Sequence, residues 1–128
     1  MTKKIIVVIL SLNFFYVTLA NAQDMLTDLA IPLMAGLEEQ AEESLLFDSP
    51  EGRIINAAAT GKVMGADVYQ FYLMVLPSLG WQVVPENNSS CSNGVELCLE
   101  ALREDEKIIL NIENKNNTSV VTYSLSPN

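Results

Sequence analysis

The residues of this chain that could do chemistry are two cysteines and a large excess of carboxylates. The sequence contains no histidine, which excludes a Ser-His-Asp triad, a Cys-His pair and imidazole ligands for a metal. Six residues separate Cys91 from Cys98, whereas a redox-active pair usually has the C-x-x-C spacing. Two thiols without histidine also fall short of the four ligands of a structural zinc ion, so a metal site is disfavoured.

The carboxylates offer paired acids, which are the machinery of many glycoside hydrolases. The likeliest pairs, Glu38 with Glu42 and Glu39 with Glu43, are four residues apart in a polar run, and such a solvated setting is poor for general acid catalysis. The run Glu104-Asp105-Glu106 lacks the alternating ligands and the glycine of an EF-hand loop. We therefore expect no enzyme and no cofactor, with a carboxylate-based hydrolase as the alternative.

The N-terminal residues follow the order of a signal peptide. Lys3 and Lys4 precede an uncharged, apolar stretch over residues 5–21, and Ala20-Asn21-Ala22 supplies small residues at a cleavage site. The pattern predicts a signal peptide over 1–22 with a cut after Ala22. The stretch is short and contains polar residues, so an uncleaved membrane anchor is the weaker interpretation. We expect a mature protein without a membrane span, in the periplasm or the medium.

The charge that remains after this cut is strongly negative. Residues 23–128 keep five basic against 16 acidic side chains, a net charge of −11. Such a chain repels nucleic acid and anionic membrane surfaces. A basic partner is compatible with this charge, although solubility alone explains it.

Export also decides the state of the two cysteines. An even number of cysteines in an oxidising compartment indicates a disulfide. We therefore predict a structural bond between Cys91 and Cys98, which closes a short loop.

The clearest helix is predicted over residues 66–79. Its apolar residues recur at helical spacing: Val68, Phe71, Tyr72, Val75, Leu76 and Leu79. Tyr69 and Leu73 widen this apolar arc beyond one face, so something else must cover the flank. The cover is either the segment around Ile31, Leu33 and Leu37 or a partner, which includes a second copy of the chain. We name Tyr69, Leu73 and Met74 as the predicted interaction surface.

Alternation with a period of two marks the strands. Strands are predicted over residues 45–47, 53–63, 81–84, 95–101, 108–113 and 119–125. The short turns between the later strands predict an antiparallel meander. The fold is thus predicted as an α+β two-layer sandwich of order β-α-β-β-β-β over residues 45–127, with an N-terminal extension over 23–44.

The end of the predicted helix carries a distinctive pattern, Phe71-Tyr72-x4-Pro77-x-Leu79-Gly80-Trp81. It resembles small exported bacterial proteins and lipoproteins of unknown function, in which a strand, such a helix end and a meander follow in this order. Residues 47–54 and 101–127 are similar to them too. The resemblance implies topology and bacterial export but no activity. The chain departs from the lipoproteins because it has no anchor cysteine.

Together these features predict an exported, non-catalytic accessory or protein-interaction module of the bacterial envelope. The first alternative is a carrier of a small apolar ligand, which would need a pocket between helix and sheet. The second is the carboxylate hydrolase, which would need two acids close together in a cleft.

Overall fold

The computed structural model describes residues 24–86, 89, 91 and 97–128. The predicted signal peptide over 1–22 and the start of the predicted strand over 95–101 lie outside the described residues. In chain order the elements are β1 (Glu38–Glu39), a 3-10 turn (Ala41–Glu43), β2 (Leu45–Ser49), β3 (Gly52–Gly61), α1 (Gly65–Ser78), β4 (Gln82–Val83), β5 (Leu97–Arg103), β6 (Glu106–Lys115) and β7 (Thr118–Pro127).

The strands of the described chain form one antiparallel sheet of order β1-β3-β7-β6-β5-β4, and β2 pairs with the same edge of β3 as β1. The predicted class, α+β with one helix and an antiparallel sheet, is confirmed. The predicted meander is present as β4 to β7. Two short strands precede β3, so the chain order departs from the predicted β-α-β-β-β-β. The ladder between β3 and β7 also joins distant parts of the chain.

One face of the sheet is apolar because every second residue of the long strands points to it. Its buried side chains are Ile55, Ala57, Ala59, Leu99, Ala101, Ile108, Leu110, Ile112, Val121, Tyr123 and Leu125. Helix α1 contacts β4, β5 and β6 and adds Val68, Tyr72 and Leu76 to the same buried cluster. The alternation predicted from sequence therefore holds where the sheet is covered.

The segment 24–37 completes this cluster. It contributes five buried apolar side chains, Leu26, Leu29, Ile31, Leu33 and Leu37. A tight turn presents them: the Leu26 amide donates to the Ile31 carbonyl at 2.9 Å, and Ala30 has a left-handed φ of 52°. Segment 24–37, which belongs to the N-terminal extension predicted over 23–44, thus shares the core of residues 45–127.

The end of α1 is a Schellman motif. The Trp81 amide donates to the Leu76 carbonyl at 3.0 Å and the Gly80 amide to the Pro77 carbonyl at 3.1 Å, which is the hydrogen-bond pair of that motif. Gly80 takes the required left-handed conformation with φ of 88°. The Arg103 guanidinium stacks 4.3 Å from the centre of the Trp81 ring, so the helix end is tied to β5.

Candidate functional site

Strand β2 exposes three consecutive large apolar side chains. Leu45, Leu46 and Phe47 are 56%, 54% and 56% exposed. The register places Leu46 opposite Ile55, on the helix side of the sheet. Leu45 and Phe47 therefore project from the opposite side, since side chains alternate along a strand. β2 is thus apolar on both of its faces.

A tight turn holds β2 against β3. Ser49 pairs with Gly52 across the turn, and the Ser49 hydroxyl donates to the Gly52 carbonyl at 2.7 Å. Gly52 has φ of 143°, a conformation open chiefly to glycine. The residues around this turn, Asp-Ser-Pro-Glu-Gly, include four types that favour turns, so the position of β2 follows from local chemistry.

The outer edge of β2 pairs with no other strand of the described chain. An open edge offers unpaired backbone N–H and C=O groups and is a template for another strand. Other edge strands offer few unpaired backbone groups: β1 and β4 have two residues each, and a 3-10 turn interrupts the edge between β1 and β2. β2 is the part of that edge that is both regular and apolar.

Acidic side chains flank β2 at both ends. Glu42 and Glu43 precede it and Asp48 and Glu51 follow, all of them exposed. The nearby cation, Arg53, donates through Nε and Nη2 to the two carboxylate oxygens of Glu106 at 2.7 and 3.0 Å. This pairing raises the pKa of Arg53 and lowers that of Glu106. Little positive charge is therefore left to offset the acids beside β2.

The predicted surface on α1 is only partly open. Met74 is 77% exposed, whereas Tyr69 and Leu73 are half-buried against the core. The three residues share one helix, but Met74 alone presents a fully accessible apolar side chain. This surface stays a prediction, and β2 is the larger apolar patch, which the sequence predicted only as a strand. Its signal was three apolar residues in a row, without alternation, beside a turn.

The predicted disulfide is present between Cys91 and Cys98, with Cα atoms 5.8 Å apart. Cys98 lies on β5 and pairs with Asn111, on the sheet face opposite the helix. Glu100 lies on the same face and is buried, and the Ser89 hydroxyl donates to its carboxylate at 3.0 Å. The bond therefore ties Cys91 to that face of β5, which indicates a structural role.

A pair of buried tyrosines links the helix, the sheet and the N-terminal segment. The Tyr72 hydroxyl donates to the Pro32 carbonyl at 3.0 Å, so the Tyr123 hydroxyl, 2.6 Å away, donates to Tyr72. Burial raises the pKa of Tyr72 to about 12, despite the hydrogen bond from Tyr123. Burial also raises the pKa of Tyr123, and the facing Tyr72 adds to this rise. Both hydroxyls are thus kept neutral, which suits a structural contact.

One of the acids considered for hydrolysis, Glu39, is hydrogen-bonded to the N-terminal segment. Glu39 lies on β1, and its carboxylate accepts hydrogen bonds from the amide and the hydroxyl of Thr27 at 3.2 and 2.8 Å. Glu42 and Glu43 lie in the following 3-10 turn, so the pairs are not neighbours on one helix. Among the described residues, no group of three or more acids and cysteines is placed to hold a metal ion.

In the described part of the chain, an open depression lies at each end of α1. One of about 640 Å³ is lined by residues 62–66, Leu97, Asn114 and Asn117. Another of about 540 Å³ lies beside Gly80 and Arg103. The contact between helix and sheet, where an apolar ligand was considered, is filled by Tyr72, Trp81 and Tyr123.

Comparison with models of protein families, with curated proteins and with solved structures found no match for this chain. Within the part of the chain that the structure describes, helices fall short of the length and apolarity needed to cross a membrane.

Proposed function

We propose that this protein is an exported, non-catalytic interaction module of the bacterial envelope, a two-layer α+β sandwich that binds a protein partner through the edge strand β2. The observation that carries the proposal is the exposure of Leu45, Leu46 and Phe47 on an open edge. Large apolar side chains clustered at a sheet edge favour association, because burial removes them from water and the edge gains backbone hydrogen bonds.

Export is supported by two independent features. The residues up to Ala22 have the pattern of a cleaved signal peptide. The bond between Cys91 and Cys98 is of a kind that persists in oxidising compartments. We place the mature protein in the periplasm or the medium, starting at Gln23. Mass spectrometry of protein from its native cell tests this, and an intact N-terminus held in the inner membrane would refute it.

The proposed binding edge is tested by affinity capture from periplasmic extract, quantified by mass spectrometry. The wild type is compared with Leu46→Lys, which places a charge in the middle of the apolar triplet Leu45-Leu46-Phe47 on the open edge. Met74→Lys is the matched control, because it charges the exposed methionine of the other predicted surface. Circular dichroism and the melting temperature verify that all three proteins are folded.

We expect proteins captured by the wild type and by Met74→Lys to be lost with Leu46→Lys. Equal recovery by all three proteins would overturn the assignment to β2. Loss with Met74→Lys alone would transfer the binding surface to Tyr69, Leu73 and Met74 on α1.

A further inference from the structure

We propose that the segment bound by β2 is an extended strand with an apolar middle and Lys or Arg at both ends. This inference rests on the proposed function and adds the chemical class of the partner. It follows from the shape of the edge, from the charges beside it and from what those charges do to a second copy of the chain.

The edge geometry favours an extended segment over a helix. The far side of β2 offers backbone groups of alternate residues, and only another strand can pair with them in series. Leu46 projects on the helix side, whereas Leu45 and Phe47 project on the other side. An added strand would cover both sets at once, and a helix packed on one face would leave the other set in water.

The charges define the ends of that segment. Glu42 and Glu43 lie before β2 and Asp48 and Glu51 lie at its other end. Arg53 faces Asp48 across the β2–β3 pair and interacts with it electrostatically, but its Nε and Nη2 donate to Glu106, so one cation is shared by two carboxylates while Glu51 lies nearby. The field at each end of β2 is therefore negative, and cations at the ends of an incoming strand complement it.

The same charges oppose a second copy. Two copies paired antiparallel about Leu46 would bring Glu42 and Glu43 of one alongside Asp48 and Glu51 of the other. The two-fold symmetry of such a dimer would impose this repulsion twice, because carboxylates brought close together repel each other. A basic segment turns the same acids into attractive contacts.

The test measures fluorescence anisotropy of short labelled peptides with protein purified as residues 23–128, which contain every described core side chain. The first peptide has alternating valines in the middle and two lysines at each end. The second has glutamates in place of the lysines. The third is the lysine peptide with prolines in the middle, which cannot pair as a strand. Sedimentation of the protein alone reports whether it self-associates.

We expect the lysine peptide to bind the wild type, with affinity falling as salt is added, and the other two to bind at least about tenfold more weakly. Replacing both Glu42 and Glu43 by Lys should lower the affinity for the lysine peptide by about the same factor. The control is Glu113→Lys, which reverses an exposed charge at the end of β6 far from Glu106. This variant should bind the lysine peptide with unchanged affinity.

The outcomes separate this inference from the proposed function. Equal binding of the lysine and glutamate peptides, abolished by Leu46→Lys, would keep β2 as the site and overturn the basic partner. Equal binding of the proline peptide would show simple charge attraction and overturn the strand. If the protein is a dimer, Leu46→Lys dissociates it and no peptide binds, then a second copy of the chain, and not a basic segment, pairs with β2. If all peptides fail and the protein is a monomer, the inference falls, while capture through β2 remains separately measurable.

Discussion

The hydroxyl oxygens of Tyr72 and Tyr123 lie 2.6 Å apart in the interior, where the helix, the sheet and the N-terminal segment meet. Tyr72 in turn donates to the Pro32 carbonyl. This chain of two hydrogen bonds gives each hydroxyl a partner, although both side chains are fully buried. The two hydroxyls are not equivalent, because only Tyr72 touches both other elements.

Tyr72→Phe should lower the free energy of unfolding by about 1–3 kcal/mol, since it leaves the Tyr123 hydroxyl and the Pro32 carbonyl without this partner. Tyr123→Phe should lower it by about 1 kcal/mol, because Tyr72 keeps its bond to Pro32. Urea unfolding monitored by Trp81 fluorescence measures both, with Tyr69→Phe on the same helix as the control. A larger effect for Tyr123→Phe would contradict the direction assigned to the bonds.

Alkaline pH should destabilise the protein through the same pair. The pKa of Tyr72 is about 12 in the folded protein and about 10 in an unfolded chain. The unfolded state therefore loses its proton first, so the stabilisation is complete below about pH 10 and disappears between about pH 10 and 12. Tyr72 alone should contribute a loss of about 2.7 kcal/mol across this window.

The measurement compares urea midpoints at about pH 8 and about pH 11. Tyr72→Phe should lose less stability between these two values than the wild type or Tyr69→Phe. An identical pH dependence in all three proteins would show that the buried hydroxyl does not set it.

Reduction of the Cys91–Cys98 bond should lower the free energy of unfolding by about 2–3 kcal/mol, because a short loop is released in the unfolded chain. Guanidinium unfolding with and without reductant measures the change. The variant with both cysteines replaced by serine should match the reduced wild type and ignore the reductant. Two reactive thiols in unfolded, unreduced protein would refute the bond itself.

Two glycines should respond to alanine for different reasons. Gly80→Ala should cost about 1–2 kcal/mol because φ there is 88°, while space is adequate: the nearest atom to an added Cβ is Arg103 Cδ at 3.7 Å. Gly80→Asn should recover part of this loss, since asparagine tolerates the left-handed region. Gly61→Ala should be worse than either, because its Cβ would collide with the Gly36 carbonyl oxygen. Thermal unfolding of the three variants gives the order, and equal melting temperatures would contradict it.

Local pattern was sufficient for most elements. The helix predicted over 66–79 is observed at Gly65–Ser78, because its apolar spacing, its first-turn acid and its C-terminal glycine all indicate one element. The strand predicted at 45–47 begins at Leu45 as expected. The disulfide was predicted from the even number of cysteines and from the predicted export, and the bond is present.

Which strands pair across long distances in the sequence was harder to predict. Nothing in the alternation of β3 and β7 says that they are neighbours, since any two half-buried strands share that pattern. Segment 24–37 shows no regular period, because Pro32 and the left-handed Ala30 break it, so its burial depends on the surface it meets. Glu100 falls on the polar side of its strand, yet it is buried and accepts a hydrogen bond from Ser89, a contact that the alternation of β5 does not predict.

The pairing of β3 with β7 also has a temporal consequence. β7 is the final strand of the chain, and it occupies an interior position of the sheet between β3 and β6. A nascent polypeptide therefore lacks the strand that joins its first half to its second, and such distant contacts form slowly. Truncation within Thr118–Pro127 should accordingly abolish the cooperative fold instead of trimming an edge.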